Sequence, residues 1–181
     1  MVSFPFNGGP ETPVRPDDVI ITKTDPQGRI TYANRTFMRI VGAPESALLG
    51  RPHNIIRHPD MPRGAFRLMW KTLAGGNEFF AAVKNCTASG GFYWVFANVT
   101  PDYDASGKLQ GYFSVRRHLR QEARAAIEPV YARMRAIEQE AGKQAGPDKS
   151  VEWLSAELAK QGVSYERFVL DIAGYGLEGG K

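Results

Sequence analysis

Three ionisable side chains sit close together in the chain, Arg57, His58 and Asp60. An arginine can grip a phosphate through a forked pair of hydrogen bonds. The histidine can touch a bound group or order its loop, and Asp60 can equally cap a helix starting near Pro62. Further along, Phe79, Ala81, Val83 and Asn85 alternate. In a strand the Asn85 carboxamide therefore shares a face with three apolar residues. Left unpaired in the interior it costs on the order of 1–3 kcal/mol, so it calls for a neighbouring loop or a ligand offering both donors and acceptors. Asn98 shares the face of Phe92, Trp94 and Phe96 and invites the same argument more weakly. Trp70 lies on an apolar helical stripe, which by spacing alone reads as core packing and otherwise as a rigid ring for stacking. Asn34 stands where a helix cap belongs, and cap and ligand contact are equally open to it.

Other chemistry is less visible. His53 and His58 lack carboxylate company, which argues against a metal pair. Cys86 is the single cysteine, which excludes an internal disulfide and a cysteine metal cluster. No nucleophile–base pair, paired catalytic carboxylates or phosphate-binding glycine loop stands out, so the sequence does not point to an enzyme.

The elements that must position these residues read as an α+β domain. Val19–Thr24 and Ile30–Ala33 are short strands joined by the turn Asp25-Pro-Gln-Gly28. Asn34 opens a helix carrying Phe37, Met38 and Val41, and Pro44 to Gly50 forms another short turn. Residues 51–61 are irregular, and Phe66, Met69, Trp70 and Leu73 mark a helix from about Pro62 to Ala74. Three strands follow, Phe79–Cys86, Phe92–Thr100 and Gln110–Arg117, with glycines at both reversals. Two strands, short helices and three strands predict one antiparallel sheet with helices on one face. Beyond it, Ile127, Val130, Met134 and Ile137 predict a helix from about Gln121 to Gly142, with Gly146-Pro147 as its breaker. Shorter helices around Leu154 and Phe168 complete the chain. The expected plan is a flexible arm over 1–17, the sheet domain over 18–120 and a helical extension over 121–181.

Composition bounds the function classes. An apolar fraction of 43% and a charged fraction of 23% in 181 residues suit a packed domain. The net charge of +4 is modest, and Arg116, Arg117 and Arg120 form a short cluster that reads as a solvated face, so nucleic acid is not an expected partner. No apolar stretch approaches the ~20 residues needed to cross a bilayer. The glycine- and proline-rich start is unlike a signal peptide. The expectation is a cytoplasmic protein without membrane contact.

The run Leu49-Gly-Arg-Pro-His-Asn-Ile-Ile-Arg-His-Pro-Asp-Met-Pro62 closely resembles the N-terminal PAS domain of bacterial aerotaxis receptors. So do Phe66, Met69-Trp70 and Leu73, and Ile30-Thr-Tyr-Ala-Asn34, Val83-Lys-Asn85, Tyr93-Trp94-Val95, Ala97-Asn98, Gly111-Tyr112 and Ile127-Glu-Pro-Val-Tyr131. The resemblance spans about residues 19–132. It implies a five-stranded PAS fold, a non-covalent FAD pocket between sheet and helices, and redox signalling to a chemotaxis or other signal-transduction partner. It further implies Asn34, Arg57, His58, Asp60, Trp70, Asn85 and Asn98 as cofactor-binding residues, with no catalytic or metal residue. Light-sensing PAS domains hold a reactive cysteine in a helix motif of the type Asn-Cys-Arg-Phe-Leu. Asn85-Cys86 shares two letters and falls at a strand end, so adduct chemistry is not expected. Aerotaxis receptors continue into a membrane anchor and a long coiled coil. With neither visible here, output is expected through a signalling partner or a homodimer, using the C-terminal helices. The alternatives are a cofactor-free PAS dimerisation or interaction module and a haem-binding PAS sensor.

Overall fold

A computed structural model describes residues 4–175. Its frame is a five-stranded antiparallel sheet, in the order β2-β1-β5-β4-β3. The strands are β1 (Ile20–Thr24), β2 (Ile30–Ala33), β3 (Phe79–Cys86), β4 (Phe92–Tyr103) and β5 (Leu109–Arg117). The β1–β2 reversal works because Gly28 takes a φ of 77°, and the Asp25 side chain accepts from the Arg29 N–H at 2.8 Å.

The pleat sorts residues onto two faces. Ile20, Thr22, Tyr93, Val95, Ala97, Ser114 and Arg116 turn to the inner face, where α1 (Arg35–Val41), two 3₁₀ turns (Glu45–Ala47 and His53–Ile56) and α2 (Arg63–Ala74) cross the sheet. Ala82, Trp94 and Phe96 turn outward and pack against Ala123, Ile127 and Tyr131 of α3 (Gln121–Lys160). Tyr131 fixes this contact by donating its hydroxyl to the Ala82 carbonyl at 2.8 Å. The outer face is thus covered by the chain's own helices, and α4 (Tyr165–Ile172) closes over β3 through a stacked Tyr165–Phe79 pair, 5.4 Å between centroids.

Two expectations change. The break in α3 falls at Gly142, whose φ of 79° suits glycine, rather than at Gly146-Pro147. Pro147 lies early in the second arm, where its missing N–H leaves the Lys143 carbonyl without the usual helical donor. Arg63 supplies one, Nη1 to Lys143 O at 2.8 Å. The N-terminal arm, expected to be flexible, is laid along the β3–β4 turn over its described residues. Thr12 N–H donates to the Phe92 carbonyl at 2.7 Å, and Phe4 and Val14 are buried beside Phe37 and Tyr93. Gly90 and Gly91 make room for it, since a Cβ at either would collide with Asn7 or Pro10.

The C-terminal hairpin also holds α2 in place. Glu138 is buried, and its carboxylate accepts the backbone N–H of Arg63 at 3.0 Å and of Gly64 at 2.7 Å, together with the Ser150 hydroxyl at 2.9 Å. A carboxylate here satisfies the first free N–H groups of α2 and sits at the favourable end of its dipole. Asp60, for which capping was the alternative to ligand contact, is not used for this; the N-cap position is Pro62. Glu138→Ala strands buried donors and should lower unfolding stability by on the order of 2–4 kcal/mol, read from urea denaturation. A loss of about 0.5 kcal/mol or less, typical of surface positions, would contradict this role.

Candidate functional site

Between α2 and the inner face lies a cavity enclosing about 900 Å³, its open mouth included. Its floor comes from alternate residues of four strands: Thr22 and Thr24, Val83 and Asn85, Ala97 and Val99, and Tyr112, Ser114 and Arg116. Its roof is Phe66, Met69, Trp70 and Leu73, the apolar stripe of α2. Gly28, His53, Asn54 and Arg57 complete the rim. No aspartate or glutamate among the described residues lines it.

One end is apolar and aromatic. Trp70 is 41% exposed at the mouth and meets Tyr112 edge-on, 5.2 Å between centroids. The other end is polar and positive. Arg116 is 4% exposed, and its Nη2 donates to Thr22 Oγ1 at 2.6 Å and to His53 Nε2 at 2.7 Å. Burial, then the Arg116 charge, hold the His53 pKa well below its usual value. The ring is therefore neutral and its Nε2 is free to accept, from Arg116 and from the Thr22 hydroxyl 3.2 Å away. Arg116 Nη1, Ser114 Oγ and Arg57 Nε are buried with no hydrogen-bond partner among the described residues. Arg57 rests its guanidinium 3.5 Å above the Phe66 ring, a cation–π contact. Asn85 is 5% exposed and pairs in register with Tyr93, whose phenol burial pushes up to about 12 while the Arg116 charge opposes the shift.

Of the seven residues singled out from the sequence, Arg57, Trp70 and Asn85 line the cavity. The others lie elsewhere. Asn34 caps α1, accepting from Phe37 N–H at 3.0 Å while donating to the Val19 carbonyl at 2.8 Å. Asn98 is on the outer face with Trp94 and Phe96 and donates to Glu78 at 2.9 Å. Asp60 also turns outward, accepting from Lys84 Nζ at 2.6 Å and Arg135 Nη1 at 2.8 Å. His58 is 1% exposed, packed against Phe6 and Phe92, and its Nδ1 accepts from the Asp60 N–H at 3.0 Å. Cys86 is buried near the Arg57 carbonyl, and burial raises its thiol pKa, so it is no ready thiolate.

Sequence reasoning missed Arg116, His53, Thr22 and Ser114. Arg116 was read with Arg117 and Arg120 as a solvated cluster; it is buried. The available signal was the period of two in β5, which puts Arg116 with Ser114 and Tyr112 on one face and Arg117 on the other.

Residues 30–116 match the PAS fold family. The chain is 42% identical to the aerotaxis receptor of Escherichia coli over 136 residues, which are 75% of this chain and 27% of that protein. It is 31% identical to the nitrogen fixation regulatory protein of Klebsiella pneumoniae over 108 residues, 60% of this chain and 22% of that one. Its fold superposes on a light-oxygen-voltage domain studied with a flavin analogue, at a TM-score of 0.54 and 21% identity, covering 64% of this chain and 86% of the other. The dark-state light-oxygen-voltage domain of Aureochrome1 superposes at 0.52 and 20% identity, covering 66% and 84%. The chain carries a PAS domain of the aerotaxis-receptor type. It spans about a quarter of the length of the curated relatives it matches. No helix among the described residues is long and apolar enough to cross a membrane.

Burial, then the Lys84 charge, lower the His58 pKa to about 4, against 6.5 for an unperturbed histidine. Between those values the unfolded chain binds a proton that the folded chain refuses, so this contribution to stability is complete above pH 6.5 and fades as pH falls toward 4. The urea midpoint should therefore decline from pH 7 to pH 4.5, and His58→Asn should flatten part of that decline. A wild-type slope in the variant would contradict the burial of a neutral His58.

Proposed function

We propose that this chain is a sensor domain that holds a flavin non-covalently, FAD by its likeness to the aerotaxis receptor, between α2 and the sheet. The observation that carries the reading is the cavity's division: an aromatic and apolar end suited to a flat ring system, and an end with two guanidinium groups and no carboxylate, suited to a ligand with acceptor atoms and negative charge. The unpartnered Arg57 Nε, Arg116 Nη1 and Ser114 Oγ are the donors such a ligand would satisfy. Phe66, Met69 and Trp70 would sandwich the ring, Asn85 would pair with its pyrimidine edge, and Arg57 would hold a phosphate oxygen. Asn34, His58 and Asp60 then serve the site through the scaffold, by capping α1, ordering the loop that carries Arg57, and tying β3 to α3, while Asn98 pairs with Glu78 on the outer face. When bound, a flavin supplies reversible electron storage.

The way the site is wired to the outer face supports signalling as its output. Asn85 looks into the cavity, and its neighbour Lys84 looks out and is held by Asp60, which also holds Arg135 of α3. A ligand state that shifts Asn85 biases this cluster, and with it the seat of α3, to the extent that its contacts differ between the two arrangements. The output would be read by a chemotaxis-type partner or a second copy of the chain meeting α3 and α4. A haem sensor is less well supported: His53 Nε2 is already engaged by Arg116 and Thr22, and His58 does not line the cavity. A cofactor-free module leaves the buried Arg116 guanidinium without a counter-charge.

Purified protein should be yellow and release FAD on denaturation. Arg57→Ala and Asn85→Ala should each weaken FAD binding about tenfold or more, about 1.4 kcal/mol. Undiminished flavin in both variants removes those residues from the site, and a colourless protein that takes up neither FAD nor FMN overturns the reading.

A further inference from the structure

Arg116 is the most deeply placed charge of the cavity, and no carboxylate among the described residues answers it. Its Nη2 is used twice, by Thr22 Oγ1 at 2.6 Å and His53 Nε2 at 2.7 Å, whereas Nη1 has no partner among the described residues. The two acceptors fix the plane of the guanidinium, and His53 accepts because it is neutral. The nearby groups are themselves neutral: Thr22, Ser114, and Tyr93, whose phenol is held protonated. A buried guanidinium in such company lacks a counter-charge. Arg57, by contrast, is only half-buried and lies over Phe66. It is the better match for a diphosphate, which must lead back out to an adenosine.

We propose that Arg116, held by Thr22 and His53, recognises negative charge on the pyrimidine edge of the bound ring and thereby sets its midpoint potential. The proposal rests on the flavin reading above. An oxidised flavin that takes two electrons from an external reduced carrier and one proton from solvent gains one negative charge, spread over the pyrimidine edge. A fixed cation with a spare donor at that edge binds the reduced ring more tightly than the oxidised one. His53 acts as a positioning residue, because an imidazolium could not accept from Arg116.

The test is a potentiometric titration of the flavin-loaded chain with dye mediators. Arg116→Gln, titrated at saturating flavin, should lose about tenfold of the preference for the reduced form, which for a two-electron couple is a midpoint about 30 mV lower. Arg116→Lys, which keeps the charge, should lie between the two. Flavin-loaded Arg116→Gln with the wild-type midpoint overturns the proposal and leaves the flavin reading standing. Should Arg116→Gln fail to fold, the wild-type chain decides, with riboflavin as probe because it carries no phosphate for Arg57. Tighter anaerobic binding of reduced than of oxidised riboflavin where the reduced ring is anionic, with the preference shrinking where it is protonated, supports the proposal. Equal affinities at both pH values overturn it. Binding of neither form, together with a colourless FAD-treated protein, overturns the flavin reading and the proposal with it.

Discussion

A guanidinium cannot be taken out of water without acceptors, and the interior of this domain is arranged around that demand. Arg116 enters from the central strand β5 and meets two neutral acceptors and, 5.6 Å away, the Phe37 ring. Arg57 enters from the loop before α2 and meets an aromatic face. Neither finds a carboxylate among the described residues of the cavity lining. The energetic cost of that arrangement falls if the cavity holds something rich in acceptors, and the apolar roof of α2 restricts such an occupant to a flat, largely apolar body. Fold and ligand chemistry thus lead to one another.

Strand β3 carries the consequence outward. Its pleat places Val83 and Asn85 under the cavity and Ala82 and Lys84 beneath α3. Asp60 joins Lys84 to Arg135, and Glu138 joins the start of α2 to the same helix. Both walls of the cavity, β3 below and α2 above, are therefore fastened to α3 through carboxylates. Half-exposed pairs of the Asp60 kind add little stability. Their value here is geometric: they make the position of α3 answer to the position of two elements that touch the cavity.

Much of this was legible in the sequence, for definite physical reasons. Alternation of apolar residues fixed the strands and put Asn85 on an inward face. The helical stripe Phe66, Met69, Trp70 and Leu73 became the roof, and Asn34 became a cap. The illegible part is long-range. Nothing near α2 says that Glu138, 74 positions from Gly64, will cap it. The start of the chain looked too rich in glycine and proline to pack, yet Gly90 and Gly91 leave a groove that admits it. Asn98 followed the same logic as Asn85 and landed on the opposite face, because β4 lies between β5 and β3 and shows alternate residues to the cavity and to α3. Arg116 was hidden by its charged neighbours in sequence, although strand geometry separates it from them.

The most direct measurement is a crystal structure of the chain reconstituted with FAD. The account predicts ring density between the α2 stripe and the inner face of the sheet, with the pyrimidine edge within hydrogen-bond reach of Asn85 and Arg116 Nη1. A flavin bound on another surface, or a refined structure in which side chains close the cavity after FAD treatment, would contradict it.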